Sequence, residues 1–146
     1  MDLLAELMAE PLKEGKSVKF TVVGNSMYPL LRNGLDNVLV SSNVKPKKFD
    51  IILYRRKSGD YVLHRIVRVG KEGFGLCGDN QLLVEYPVRQ EDVVAVVTAI
   101  ERKGKLVPVT KLWYRAYSVL WSLLIPLRPV IFKVSCKIKH FFTKVK

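Results

Sequence analysis

A chain of 146 residues with 49% hydrophobic side chains has enough apolar surface for one core, so the expectation is a single domain with appendages. Its two cysteines, Cys77 and Cys136, have no His or Cys at ligand spacing; this excludes a zinc framework and a disulfide-stapled fold and reads as free thiols in a reducing compartment. The net charge of +12 belongs to one end, because residues 1–101 hold 14 Lys/Arg against 13 Asp/Glu whereas the last 45 hold 11 Lys/Arg and no acid.

Residues 1–15 lack the basic start and long apolar run of a secretory leader and carry acids at Asp2, Glu6, Glu10 and Glu14. Leu3, Leu4, Leu7 and Met8 instead predict a short amphipathic helix ended near Pro11. From Ser17 the pattern changes to runs rich in Val, Ile, Phe and Tyr, which predict strands at 17–23, 37–41, 50–56, 61–69, 73–77 and 93–100. Lys57-Ser58-Gly59-Asp60 predicts a hairpin turn, and residues 69–73 predict another. Short strands at this spacing imply a mainly β domain over 17–108, a sandwich or a partly open barrel, with a helix before it at 1–16 and a helical tail after it at 109–146.

In that tail the uncharged stretch between Arg115 and Arg128 is 12 residues. About 20 are needed to span a bilayer upright, so 112–132 is expected to lie at an interface or to pack, rather than to cross. Beyond Pro129, Ile131, Val134, Ile138, Phe141, Phe142 and Val145 recur at helical spacing, with Lys133, Lys137, Lys139, Lys144 and Lys146 between them. Next to Trp113, Tyr114, Tyr117 and Trp121, this makes residues 112–146 a candidate for docking on an anionic membrane surface. An aromatic helix packed on the β domain with a solvated basic end is the alternative. No nucleic-acid reading motif accompanies the charge, so no nucleic acid partner is expected.

Two positions carry candidate chemistry. Val23-Gly24-Asn25-Ser26-Met27-Tyr28-Pro29 sets a serine just past a strand, between a glycine that permits a tight backbone and a proline that ends the turn. A nucleophile needs such an exposed corner, with backbone N–H groups free to meet a developing oxyanion. His64 alternates onto one strand face with Val62 and Ile66; an imidazole with a pKa of ~6.5 is either a base for the serine proton or a satisfied core residue.

The segment Gly24-Asn25-Ser26-Met27-Tyr28-Pro29-Leu30-Leu31 resembles the nucleophile box of signal peptidases and LexA-type self-cleaving repressors. Phe49-Asp50-Ile51-Ile52-Leu53-Tyr54 is similar to the family's Gly-Asp-Ile-Val-Val-Tyr strand, with Phe49 where glycine is usual. Leu63-His64-Arg65-Ile66-Val67 resembles the segment carrying the general base, which is lysine in most bacterial members and histidine in archaeal and endoplasmic-reticulum signal peptidases. Gly78-Asp79-Asn80-Gln81 is similar to the later Gly-Asp-Asn box. In shared order these cover about 80 of the 146 residues.

The resemblance implies a serine peptidase with Ser26 as nucleophile and His64 as general base. It implies Asp79 as the acid that orients His64, with Glu85, six residues on, as a second acid at the spacing seen in histidine-type members. Gly24 stands where many signal peptidases carry a serine donor, so oxyanion stabilisation falls to the Ser26 backbone N–H, with Asn25 as a second contributor. Met27 is expected to face substrate or to pack, and Asp36 to be structural. The implied substrate is a leader or signal peptide with small residues at the first and third positions before the cut, and the reaction needs no cofactor.

Lacking the usual N-terminal anchor, the chain is expected to hold a cytoplasmic catalytic domain at the membrane through its tail; a spanning 112–132 would put that domain outside. A LexA-like module that cleaves itself or a partner is one alternative, set against by the 25 residues before Ser26, too few for a helix-turn-helix domain. A non-catalytic membrane-tethered binding module is another. Oligomeric state stays open.

Overall fold

The computed structural model describes residues 2–144. Helix α1, Asp2–Lys13, turns Met8 and Leu12, four residues apart and hence on one face, into the main core. It ends in a left-handed Gly15, at φ +75°, whose N–H reaches the Leu12 carbonyl while that of Lys16 reaches Pro11.

The body is mainly β, one open antiparallel sheet of eight strands: β1 (Val18–Thr21), β2 (Asn37–Ser41), β3 (Ile51–Arg55), β4 (Tyr61–Val69), β5 (Phe74–Cys77), β6 (Glu85–Val88), β7 (Val93–Arg102) and β8 (Lys105–Pro108). The order is β1-β2-β7-β3-β4-β5-β6, with β8 also on β7. Ten residues long, β7 pairs β2 along one edge and divides its other edge between β3 and β8. The six strands read from the sequence are present. The two that were missed, β6 and β8, both contain proline, and Val88 is the one buried residue between them, which weakens a strand signal.

Both faces of the β3–β4 ribbon are covered. Ile51, Leu53 and Leu63 join the larger cluster with Phe20, Met27, Leu31 and Val38, whereas Ile52, Tyr54 and Ile66 join a second with Phe74, Leu76 and Val88. Period-2 alternation therefore sends successive residues of β4 into two different interiors. His64 and its neighbour Arg65 are both buried, at 1% and 0% exposure.

After β8 the chain forms helix α2 (Leu112–Leu123), a 3-10 turn (Ile125–Leu127) and helix α3 (Arg128–Lys144). Among the described residues no single helix is long and apolar enough to cross a membrane; α2 with the following helix meets that length and composition only as a pair bent by 59°. The buried residues of α2 are Tyr114, Ser118 and Ser122, a stripe at four-residue spacing that docks on the sheet. Phe49 occupies the left-handed region at φ +78°. Its N–H donates to Ile66 and its carbonyl accepts from Arg65, so the backbone is held there from both sides.

Candidate active site

Ser26 sits in a run of turns after β1. Gly24, at φ +95°, supplies a conformation that L side chains rarely adopt, and its N–H donates to Asn33 Oδ1 at 3.0 Å. The Tyr28 N–H returns to Asn25 O and the Leu31 N–H to Met27 O. Ser26 is partly exposed, and among the described residues its own N–H donates to none, leaving it free for an oxyanion. Asn25 is exposed in the same turn. Met27 is 1% exposed in the main core and also lines the cavity beside Ser26.

That cavity holds about 210 Å³ and brings Ser26 and His64 to one space, with apolar walls from Phe20, Val22, Met27 and Leu63. Arg56 and Gln81 complete its polar lining. Among the described residues His64 Nε2 has no hydrogen-bond partner. Ser26 and His64 thus share a cavity without a hydrogen bond between them.

The other ring nitrogen is held. Tyr54 pairs with Val62 across the β3–β4 ladder, which makes His64 its diagonal neighbour. The Tyr54 hydroxyl lies 3.1 Å from His64 Nδ1 and donates to Glu85 Oε2 at 2.8 Å. Glu85 opens β6 opposite Leu76 of β5; its carboxylate also receives Arg56 through Nε and Nη2 and comes within 3.7 Å of His64 Nδ1.

Burial pulls the Glu85 carboxyl upward, but the hydrogen bonds from Arg56 and Tyr54 outweigh it and leave the group below its ordinary value. An ionised Glu85 only accepts, so the single Tyr54 proton goes to it and the phenol oxygen is left to accept from His64 Nδ1–H. The lone pair then resides on Nε2. Burial pushes the imidazole pKa down to about 4; Glu85 opposes that shift and Arg56 adds to it. His64 is therefore a neutral base at ordinary pH.

Asp79 is placed elsewhere. It follows β5 and is fully buried, with Oδ1 taken by Arg65 Nε at 2.9 Å and Oδ2 by Arg65 Nη2 at 2.8 Å and the Tyr117 hydroxyl at 3.2 Å. The expectation that Asp79 orients His64 is corrected by this geometry: a bidentate guanidinium occupies the carboxylate, and the acid beside the imidazole is Glu85. Asp36 is also fully buried, bonded to Arg32 and Arg102, in the structural position expected of it.

Sequence reasoning missed Tyr54, Arg56 and Arg128. Tyr54 lay inside a recognised strand motif, and pairing β3 with β4 in register would have set it diagonal to His64. Arg128 is 0% exposed, and its Nη1 donates to the carbonyls of Gly78 and Gln81 at 2.9 Å each. Its position in a basic tail gave no signal of burial.

Both thiols are free, Cys77 buried and Cys136 exposed. Among the described residues no cluster of three or more His, Cys, Asp or Glu is arranged to hold a metal ion. The chain matches no protein-family model, no curated protein and no solved structure.

Proposed function

We propose that this chain is a serine endopeptidase of the signal-peptidase type, acting on leader or signal peptides. The reading is carried by one observation: Ser26 and His64 line a common cavity, with His64 Nδ1 held by Tyr54 and Nε2 unpartnered. Nε2 takes the proton as Ser26 Oγ attacks the scissile carbonyl, and the Ser26 N–H meets the oxyanion. The resulting imidazolium lies near the Glu85 carboxylate, which stabilises it, and it returns the proton to the leaving amine. Water then repeats the cycle on the acyl-enzyme, with no cofactor required. A cavity of about 210 Å³ with apolar walls suits small side chains next to the cut.

The tail supports a site at an anionic membrane surface. On α3, Val130, Val134, Ile138, Phe141 and Phe142 are all more than half exposed, beside Lys133 and Lys137, which are also exposed. Co-sedimentation with phosphatidylglycerol vesicles tests this half of the reading. Binding should fall as salt rises and be lost in Lys133→Glu/Lys137→Glu; binding unaffected by either would remove the electrostatic account.

The peptidase itself is tested with a leader-peptide library, incubated with the full chain on such vesicles and read by mass spectrometry. Cleavage after small residues, abolished by Ser26→Ala and by His64→Ala, is the expected result. Cleavage that survives both substitutions would refute the assignment, and a wild type that cuts nothing would favour a binding module.

A further inference from the structure

The Ser26 loop is seated by the Gly78-Asp79-Asn80-Gln81 turn. The Asn80 N–H donates to the Ser26 carbonyl at 2.8 Å, and Gly78 lies so close behind it that a Cβ there would come within 2.6 Å of the same oxygen. The turn closes on itself through the Gln81 N–H and the Gly78 carbonyl, 3.0 Å. Whatever fixes this turn therefore fixes the backbone of the nucleophile.

What fixes it comes from the far end of the chain. Three of its carbonyls are taken by the C-terminal helices: Gly78 O and Gln81 O by Arg128 Nη1 at 2.9 Å each, and Asp79 O by Trp121 Nε1 at 2.8 Å. Arg128 Nη2 returns to Trp121 O at 3.0 Å, and its guanidinium lies 5.1 Å from the Trp121 ring centroid. Among the described residues Arg128 has no carboxylate at salt-bridge distance, although it is completely buried. Burying a charge against neutral carbonyls is costly, and a hydrophobic residue would fill the space without that cost. What it would not do is hold two carbonyls of one turn in fixed separation, which the planar guanidinium does.

We infer that Arg128, with Trp121, is a positioning residue for Ser26, so that α2 and the start of α3 complete the active site in addition to any role at a membrane. The inference rests on the serine peptidase reading. It acts through two links, Arg128 to the 78–81 turn and the turn to Ser26, and misplacing a nucleophile by such a route slows the chemical step more than it weakens substrate binding.

The test uses the full-length chain with Arg128→Met, Arg128→Lys and Trp121→Phe, each kept well below its own melting temperature. Two quantities are read: the rate at which a fluorophosphonate labels Ser26, and hydrogen exchange of the Asn80 amide. In Arg128→Met, labelling and kcat should fall by between about ten and a hundredfold with KM little changed. Exchange at Asn80 should speed up while β3 and β7 keep their protection, and Arg128→Lys should recover part of both effects.

Trp121→Phe removes the indole donor while keeping an aromatic ring at the position, and carries the same expectation should Arg128→Met fail to fold. Asn80 exchange and labelling at wild-type rates in the folded variants would overturn the inference. If the variants loosen Asn80 while wild-type Ser26 is inert to the reagent, the seating stands and the peptidase reading falls.

Discussion

Asp79 and Glu85 lie six residues apart at the same end of the sheet, and each is held by an arginine and a tyrosine, yet they sit in different surroundings. Asp79 is fully buried against Arg65, which also reaches Ser118 of α2 and the carbonyl of Phe49. Glu85 is a third exposed, bonds Arg56 and Tyr54, and faces the imidazole. A carboxylate whose two oxygens are both engaged by one buried guanidinium joins parts of the fold, and none of its hydrogen bonds goes to the imidazole. One that reaches the base through a phenol can fix its tautomer and respond to its charge. The difference teaches that environment, more than a motif position, decides whether an acid ties the fold together or faces the imidazole.

The largest expected effect breaks the structural side. Asp79→Asn leaves Arg65 charged and buried without its counter-ion, and should cost about 3–5 kcal/mol of stability by urea unfolding. Glu85→Gln, at a partly exposed ion pair, should cost about 1 kcal/mol or less. Equal losses would erase the distinction.

The functional side should show the reverse. In the folded protein, Glu85→Gln and Tyr54→Phe should each lower kcat by about a hundredfold, the lower range for general acid–base help, because each disturbs the hydrogen bonding that keeps the proton on Nδ1. Peptide cleavage by either variant at the wild-type rate would show that the Tyr54–Glu85 pair only packs.

The pH dependence sharpens the same point. His64 has a folded pKa lowered to about 4 from an ordinary 6.5. It therefore contributes stability that is fully present above ~6.5 and is lost as pH falls toward ~4, about 3 kcal/mol in order of magnitude. Over that window His64→Gln should flatten the unfolding free energy. Glu85, also lowered, loses its own contribution only below its ordinary value of 4.5. The kcat/KM profile should stay flat from neutral pH to about 5, and Glu85→Gln should move its acid limb lower still, since that carboxylate raises the imidazole.

The smallest effect concerns the backbone behind Arg65. Phe49→Gly relieves a left-handed conformation while keeping the carbonyl that Arg65 uses. Stability should rise by about 1 kcal/mol or less, with no change in the acid limb of activity; a shifted limb would mean that the two regions are coupled.

Much of this was legible in the sequence, and the failures have physical causes. The Ser26 turn announced itself through Gly24 and Pro29, and the central strands through their β-branched runs. His64 read as a residue on an apolar face, and it is buried on one. Asp79 misled because its motif fixes a turn without stating which way the carboxylate points. The missing clue was Arg65, next to His64 in sequence and hence on the opposite face of β4, where it engages Asp79.

The docking of α2 was read from the sequence only as an alternative to membrane contact, because two of its three buried residues are serines, Ser118 and Ser122, which leave no apolar stripe to read. Ser118 accepts from Arg65 at 2.7 Å and donates to Tyr114 O at 2.9 Å, so its burial is satisfied by bonds that no hydropathy pattern records. Glu85 was found only by its spacing from Asp79, since Pro87 two residues later obscured the strand that carries it.

The most direct test of a Ser26 nucleophile activated by a neutral, tautomer-fixed His64 is the pH dependence of fluorophosphonate labelling, read by intact mass and peptide mapping in wild type and His64→Ala. The account predicts a single adduct on Ser26, a rate that falls with an apparent pKa near 4, and near-complete loss in His64→Ala. An adduct elsewhere, or a rate indifferent to His64, would contradict it.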